Sequence, residues 1–161
     1  MSAGVRVGIG HDSHRFEEGR RLILGGVEFP GEKGLKGHSD ADVLVHAVID
    51  ALFGAAALGD IGTHFPDTDE KWRGASSMAM LARVDELVRE QGFAVANLSV
   101  AIQAERPRLA KYIDEMKASL AQALSVDVSK IGVAAGTNEG LGYVGEGKGI
   151  TVHAYVLLKR K

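Results

Sequence analysis

The stretch from His38 to Asp69 constrains the fold most, because it combines a helical apolar pattern with a dense group of charged side chains. Apolar residues recur at helical spacing in its first half, which predicts a helix with one buried face. They are Leu44, Val45, Val48, Ile49, Leu52 and Phe53. Ser39 or Asp40 can cap the first turn. The rest of the fold must therefore supply a core on one side of this helix.

The polar side of the same predicted helix carries Asp42, His46 and Asp50, spaced four residues apart so that they form one stripe. An imidazole between two carboxylates can hold a metal ion, since a ligating ring needs its second nitrogen hydrogen-bonded. A solvated helix face with one incidental histidine explains the same pattern. The stripe alone leaves both interpretations open.

Length and composition restrict the class of protein. The 161 residues, 45% of them hydrophobic, fit one globular domain that needs no disulfides. Cysteine is absent, which excludes thiolate ligands and favours a cytoplasmic location. Met1–Arg6 lacks the apolar run of a secretory signal, and the longest apolar segment, 51–59, is too short to cross a membrane. A net charge of −2 with scattered basic residues predicts a small ligand rather than nucleic acid.

Predicted strands and helices alternate along the chain. Strands are expected at Val5–Ile9, Phe93–Ile102, Lys130–Ala135 and Ile150–Leu158, with a hairpin over Arg21–Phe29 that turns at Gly25-Gly26 and a mobile loop at Pro30–Gly37. The first helix is expected to end at Gly59 and to be followed by an irregular segment up to Ala75. A second helix is expected to span Ala75–Gln91, and a third to start at Pro107. This order predicts a single α/β domain, with a mixed β-sheet covered by about three helices.

Two further segments contain candidate ligands. In an extended strand Asp12 and His14 point to the same side, whereas His11 and Ser13 face away, so the strand end can present two metal ligands that complement His46. The polar, glycine-rich segment 136–143 has a backbone that can approach a phosphate closely.

Taken together, these motifs make the chain similar to the 2-C-methyl-D-erythritol 2,4-cyclodiphosphate synthase family of the non-mevalonate isoprenoid route. The motifs are Gly10-His11-Asp12-Ser13-His14-Arg15-Phe16, His38-Ser39-Asp40-Ala41-Asp42, Gly59-Asp60-Ile61-Gly62 and Thr137-Asn138-Glu139-Gly140-Leu141-Gly142. No single motif is decisive, but their order and spacing are specific. The resemblance covers residues 1–161 as one synthase-like domain.

The resemblance implies a divalent metal, zinc, held by Asp12, His14 and His46, one ion per chain. A second ion, magnesium or manganese, would bind the substrate diphosphate with Glu139 as its protein ligand. The implied reaction closes 4-diphosphocytidyl-2-C-methyl-D-erythritol 2-phosphate into a cyclic diphosphate and releases cytidine monophosphate. Catalytic roles fall on His38, Thr137 and Glu139.

The resemblance also assigns substrate contacts. His38 and Ser39 would bind the 2-phosphate, and Asp60 with the amides of Ile61 and Gly62 would position the erythritol part. The alternative for the segment 60–62 is a plain loop that terminates the helix. Arg108 is either an exposed charge in the first turn of a helix or a phosphate partner, and the helix dipole favours the second. The cytidine pocket maps to Ala104, Pro107, Arg108, Leu109 and Ala110, and further contacts map to Asp67, Ala135, Gly136, Thr137 and Tyr143.

The family is a homotrimer with its sheets facing the central axis and its sites at subunit boundaries. Ala134 and Gly136 replace a lysine and a hydroxyl residue of the family pattern, which puts part of the phosphate contact in doubt. Glu146 and Lys148 exchange the charges of an arginine and a glutamate beside the family's central channel, so we expect weak or no binding of isoprenoid diphosphates there. His64 and His153 match no ligand position.

Two other functions fit the same residues. A metal-dependent phosphoesterase would use the same ligands to activate water. A non-catalytic cytidine-nucleotide-binding module would lack some ligands, whereas Asp12, His14, His46 and Glu139 are all present. No membrane partner is expected.

Overall fold

The structure is a computed structural model that describes residues 4–161. The expectation of no secretory signal rests partly on residues 1–3, which lie outside the described residues. The strands are β1 (Val5–Glu17), β2 (Leu22–Leu24), β3 (Val27–Phe29), β4 (Gly34–Leu35), β5 (Phe93–Gln103), β6 (Ile131–Gly136) and β7 (Gly149–Arg160). The α-helices are α1 (Val43–Ala56), α2 (Ile61–His64), α3 (Ser77–Glu90), α4 (Ile113–Ala123) and α5 (Gly142–Gly145).

The strands form a five-stranded mixed sheet in the order β4-β1-β7-β5-β6. β5 and β6 are parallel and the other pairs are antiparallel, which confirms the prediction of a mixed sheet in one α/β domain. β2 and β3 form a separate hairpin that turns at Gly25 and Gly26, both at positive φ, as predicted.

The three long helices α1, α3 and α4 pack on one face of the sheet and enclose the core. The six apolar residues predicted for the buried face of α1 are all fully buried. α1 lies unusually close to β1. A Cβ atom added at Gly8 would lie 1.9 Å from the Ala51 carbonyl oxygen, and one added at Gly10 would lie 1.8 Å from the Ala47 carbonyl oxygen, so only glycine fits at both positions. This close approach brings the first turns of α1 next to the middle of β1.

The opposite face of the sheet carries exposed apolar side chains. Val7 is 72% and Ile9 61% exposed, and Val5, Tyr155 and Leu157 extend the same surface. None of the helices within residues 4–161 has the length and apolarity needed to span a lipid bilayer.

The ends of the first helix differ from the prediction. Asp42, not Ser39 or Asp40, is the N-cap of α1, and the helix ends at Ala57, in a left-handed conformation with φ 58°, rather than at Gly59. The Asp42 carboxylate accepts hydrogen bonds from the amides of Val45, Gly25 and Gly26. It therefore caps the helix and joins the hairpin to it, a long-range contact that no local pattern reveals.

Two segments predicted as irregular contain short regular elements. The loop Pro30–Gly37 includes β4, which pairs with the end of β1, and the segment before Ala75 includes α2 and a 3₁₀ turn at Glu70–Trp72. The third helix also begins later than expected, and Pro107 lies outside it. The apolar pattern starts in a 3₁₀ turn, Ala110–Tyr112, before α4. Arg108 is therefore not in the first turn of a helix, and the helix-dipole argument for it was wrong.

Candidate metal centre and substrate pockets

One carboxylate and two imidazoles meet where β1 passes under α1. Asp12 and His14 lie on the same side of β1, and His46 projects from the first turn of α1. The Nε2 atom of His14 lies 2.8 Å and the Nδ1 atom of His46 lies 3.3 Å from the same Oδ2 atom of Asp12. One ligand atom from each residue lies within 4.8 Å of the others. The structure thus brings together the three residues that the sequence motifs pair.

The His14 ring is oriented by the backbone of the neighbouring loop. Its Nδ1 atom lies 2.6 Å from the carbonyl oxygen of Lys36, which can only accept, so Nδ1 carries the donated hydrogen. In the neutral ring the Nε2 atom, which faces Asp12, then keeps its lone pair. That nitrogen is the one available to a cation.

The His46 ring is oriented by two serines. Its Nε2 atom lies 3.0 Å from the hydroxyl oxygens of both Ser39 and Ser77. The Ser77 hydroxyl also contacts the carboxylate of Asp40, and because a carboxylate only accepts, Ser77 donates to Asp40 and accepts from His46. The lone pair of His46 is therefore on Nδ1, beside Asp12.

These partners of His46 differ from the sequence prediction of carboxylates one turn away. Asp42 is fully buried against the hairpin, and Asp50 accepts the Ile61 amide at 2.8 Å. The predicted stripe of Asp42, His46 and Asp50 is therefore not a ligand set. Ser77 and Asp40 were missed because Ser77 lies 31 residues from His46 and no sequence pattern favours Ser77 over the adjacent Ser76 as its partner.

The electrostatics of the cluster favour a charged carboxylate beside the rings. Burial alone would raise the pKa of Asp12, but the hydrogen bonds and charges of His14 and His46 outweigh it and hold that pKa well below its ordinary value. Burial would likewise lower the pKa of His14, and the partnership with Asp12 raises it instead. One carboxylate oxygen and two imidazole nitrogens are a donor set that suits zinc and related divalent ions.

A pocket of about 420 Å³ opens at this cluster. We call it the cation pocket, and its lining includes the predicted residues His38, Ser39, Ile61, Gly62 and Asp67 together with the three cluster residues. Phe65, Trp72 and Met80 also line it and were not expected. Trp72 packs edge-on against Phe65 with ring centroids 4.8 Å apart, so this side of the pocket is apolar.

Asp60 is not among the lining residues. Its carboxylate caps α2 by accepting the amide and the hydroxyl of Thr63, each at 2.8 Å, and these bonds lower its pKa. The Ile61 amide is already bonded to Asp50. The Asp60 carboxylate and the Ile61 amide, which were predicted to contact the substrate, are thus already hydrogen-bonded within the chain.

A second pocket, of about 630 Å³, lies between the end of β5 and the end of β6. We call it the nucleotide pocket. Its lining contains every residue predicted for the cytidine site and the adjoining phosphate contacts, namely Ala104, Pro107, Arg108, Leu109, Ala110, Ala135, Gly136 and Thr137. Within residues 4–161 it shares no lining residue with the cation pocket. β7 lies between β1, which carries two residues of the cluster, and β5, whose end borders the nucleotide pocket, so β1 and β5 are roughly 10 Å apart.

The predicted magnesium ligand Glu139 lies in the turn after β6, with φ 53°. Glu105, which was not predicted, fixes this turn from the end of β5. Its Oε1 atom accepts the amides of Asn138 at 2.8 Å and Gly140 at 3.4 Å, on either side of Glu139. The Thr137 hydroxyl accepts the Glu139 amide at 3.2 Å. Glu105 and Thr137 together hold Glu139 beside the nucleotide pocket.

Tyr143 lies apart from both pockets. Its hydroxyl contacts those of Ser13, at 2.8 Å, and Thr151, on the far face of the sheet from the cluster. Glu146 and Lys148 form an ion pair with each other.

Comparison with known proteins shows the family of the chain. The model of the YgbB family matches residues 5–159. The chain belongs to the YgbB family. Among curated relatives, the 2-C-methyl-D-erythritol 2,4-cyclodiphosphate synthase of Trichlorobacter lovleyi is 56% identical over 154 residues, which cover 96% of this chain and 98% of the relative.

Solved structures of relatives have the same fold. The bifunctional IspDF from Campylobacter jejuni matches 98% of this chain with a TM-score of 0.94 and 42% identity, and the match spans 42% of the bifunctional chain. An IspF from Plasmodium falciparum, solved as a CDP complex, matches 100% of this chain and 99% of its own length, with a TM-score of 0.86 and 30% identity. The fold is therefore shared with these structures along nearly the whole chain.

Proposed function

We propose that this chain, taken as one synthase-like domain over residues 1–161, converts 4-diphosphocytidyl-2-C-methyl-D-erythritol 2-phosphate to 2-C-methyl-D-erythritol 2,4-cyclodiphosphate and cytidine monophosphate. The observation that carries the proposal is the cluster of Asp12, His14 and His46 at the base of the cation pocket. The close relatives named as synthases of this kind support the same reaction. It is a step of isoprenoid precursor biosynthesis.

The reaction is an intramolecular phosphoryl transfer. An oxygen of the 2-phosphate attacks the β-phosphorus and forms a new P–O bond, while the bond from that phosphorus to the bridging oxygen breaks and the electron pair leaves with cytidine monophosphate. The attacking phosphate is already ionised at neutral pH and needs no general base. The protein must instead fold a flexible polyanion onto itself and offset the repulsion between its phosphates.

Asp12, His14 and His46 would hold a divalent cation, which we propose to be zinc. Glu139 would provide the protein ligand for a magnesium or manganese ion that binds with the diphosphate. When bound, these cations supply positive charge that neutralises the phosphates during the transfer. The hydrogen bonds that His14 donates to the Lys36 carbonyl and that His46 donates to Ser39 and Ser77 keep both imidazoles oriented for this role.

The remaining roles follow from the two pockets. His38 and Ser39 line the cation pocket, where they would bind the 2-phosphate end, with Asp67 and the Asp60–Gly62 segment beside the erythritol part. The nucleotide pocket would receive the cytosine and ribose, and Arg108 and Thr137 would contact the phosphates. Tyr143 stays a predicted contact that lies outside both pockets.

We further propose a homotrimer in which the sheets face a central axis and each active site combines the cation pocket of one subunit with the nucleotide pocket of another. The exposed apolar face formed by Val5, Val7, Ile9, Tyr155 and Leu157 supports this assembly, because such a surface gains stability when a second copy covers it. The separation of the two pockets within one chain, with β7 between β1 and β5, supports the shared site. The lack of cysteine is our reason to propose a cytoplasmic location.

The test is to incubate the protein with the diphosphocytidyl substrate and magnesium and follow the phosphorus resonances by NMR. We expect cyclic diphosphate and cytidine monophosphate to appear together. His46→Ala should abolish turnover, whereas His11→Ala, on the opposite face of β1, should retain it. A linear hydrolysed product would indicate a phosphoesterase instead, and unchanged substrate with a metal-loaded sample would indicate a nucleotide-binding module.

A further inference from the structure

A second pair of histidines lies on the face of the sheet opposite the candidate metal centre. His11 on β1 and His153 on β7 are directly opposite each other in the antiparallel register. Their ring centroids are 4.8 Å apart and their planes are inclined by 54°. His11 faces away from Asp12 and His14 because successive side chains of a strand alternate between the two faces.

The geometry of this pair closely matches that of the two imidazoles in the candidate metal centre. There, His14 and His46 have ring centroids 5.3 Å apart and planes inclined by 56°. Two imidazoles that bind one zinc-class ion each place a nitrogen about 2.0–2.1 Å from it, which requires rings that are close and inclined rather than stacked in parallel. The His11–His153 pair is therefore already spaced as a pair of ligands to one ion.

The surroundings leave both rings available. Within residues 4–161 neither ring makes a hydrogen bond to another side chain or to the backbone. The side chain of Ala101, opposite His153 on β5, is small, and Ser13 and Ile9 flank His11 on its own face. No cationic side chain is therefore placed next to the pair in the register, where it would repel a metal ion.

We propose that His11 and His153 form a second binding site for a divalent transition-metal ion of the class that prefers imidazole, such as Zn²⁺, Ni²⁺ or Cu²⁺. Water fills the remaining positions in a single chain. In a trimer of the kind proposed above, three such pairs would surround the central axis, with one ion at each pair. The site itself depends only on the fold of one chain and is independent of the proposed reaction.

The test counts zinc ions by equilibrium dialysis. The wild-type chain is expected to bind two ions, and His46→Ala, which disables the first centre, is expected to retain one. In that background His153→Gln or His11→Asn should weaken the remaining ion at least about tenfold, since each removes a direct ligand. His64→Gln, which changes a histidine outside both pairs, is the control and should leave binding unchanged.

Cu²⁺ bound to the His46→Ala chain provides a second measurement, since its electron paramagnetic resonance spectrum should show coupling to two imidazole nitrogens. His153→Gln alone should retain the phosphoryl-transfer activity and the circular dichroism of the wild type, which would exclude misfolding. Zinc binding in the His46→Ala background that is unaffected by both substitutions would overturn the proposal. An equal loss of binding in His64→Gln would overturn it as well, because the ion would then be bound by scattered surface histidines.

Discussion

Ser77→Ala tests whether the hydroxyl behind His46 sets the metal affinity of the cluster. Ser77 is fully buried, and its oxygen accepts the Nε2–H of His46 while its own hydrogen goes to Asp40. Removing such an outer partner of a metal-binding histidine usually weakens binding 10- to 100-fold. Ser39 lies at the same 3.0 Å from Nε2 and can still accept its hydrogen. We therefore expect the single variant to bind zinc about tenfold more weakly, equivalent to about 1.4 kcal/mol.

The double variant Ser39→Ala/Ser77→Ala leaves the Nε2–H group without either acceptor. We expect its zinc affinity to fall by about 100-fold, the upper end of the same range. The assay is competition for Zn²⁺ against a chromophoric chelator at one fixed pH.

The neighbouring serine is a matched control. Ser76 caps α3 through a hydrogen bond from the Ala79 amide to its hydroxyl, and it does not contact His46. Ser76→Ala should lower the free energy of unfolding by about 1 kcal/mol and leave the zinc affinity unchanged. Zinc binding by Ser77→Ala within twofold of wild type, or an equal loss in Ser76→Ala, would refute this account of the His46 orientation.

Three other predictions concern stability, the magnesium ligand and pH. Asp42→Ala should lower the free energy of unfolding by about 3 kcal/mol in urea, because three amides, two of them buried, lose their acceptor, and Asp42→Asn should cost less because one acceptor oxygen remains. Glu105→Ala should raise the Mg²⁺ concentration needed for half-maximal turnover, whereas Glu105→Gln, which keeps an oxygen for the loop amides, should restore it; equal effects would argue against a positioning role. The pKa of His14 is raised above 6.5 in the folded chain, so its contribution to stability is present below that pH and is lost as the pH rises through the folded-state pKa. Metal-free protein should therefore melt at a lower temperature near pH 8 than near pH 6, and added Zn²⁺, which binds the neutral ring, should reduce or reverse that difference.

Local patterns predicted most of the strands and helices and which side chains of β1 share a face. The alternation along β1 predicted that Asp12 and His14 share one face and that His11 and Ser13 lie on the other. The contacts of His11 with His153 and of Ser13 with Thr151 confirm it. Strand and helix periodicity likewise gave the buried face of α1 and the course of β5, because each depends on the spacing of residues within one element.

The errors concern contacts between distant segments. Asp42 was placed in a polar stripe because its spacing from His46 fits a helix, yet its carboxylate is used by the amides of a hairpin 16 and 17 residues earlier. Ser77, Glu105 and Trp72 were missed for the same reason, since each acts on residues that only the folded chain brings near. A pattern within one segment contains no information about such partners.

The glycines of β1 show how the sequence nevertheless encodes the meeting of β1 and α1. In a strand they weaken the pattern, because they contribute no side chain to either face. In the structure, the absence of a Cβ at Gly8 and Gly10 lets the backbone of α1 lie directly against the strand. A larger residue at Gly10 would push α1 outwards and lengthen the distance of 3.3 Å between the Nδ1 atom of His46 and the Oδ2 atom of Asp12. Gly10 adds no side chain to the strand, and this absence allows His46 of α1 to lie beside Asp12 of β1.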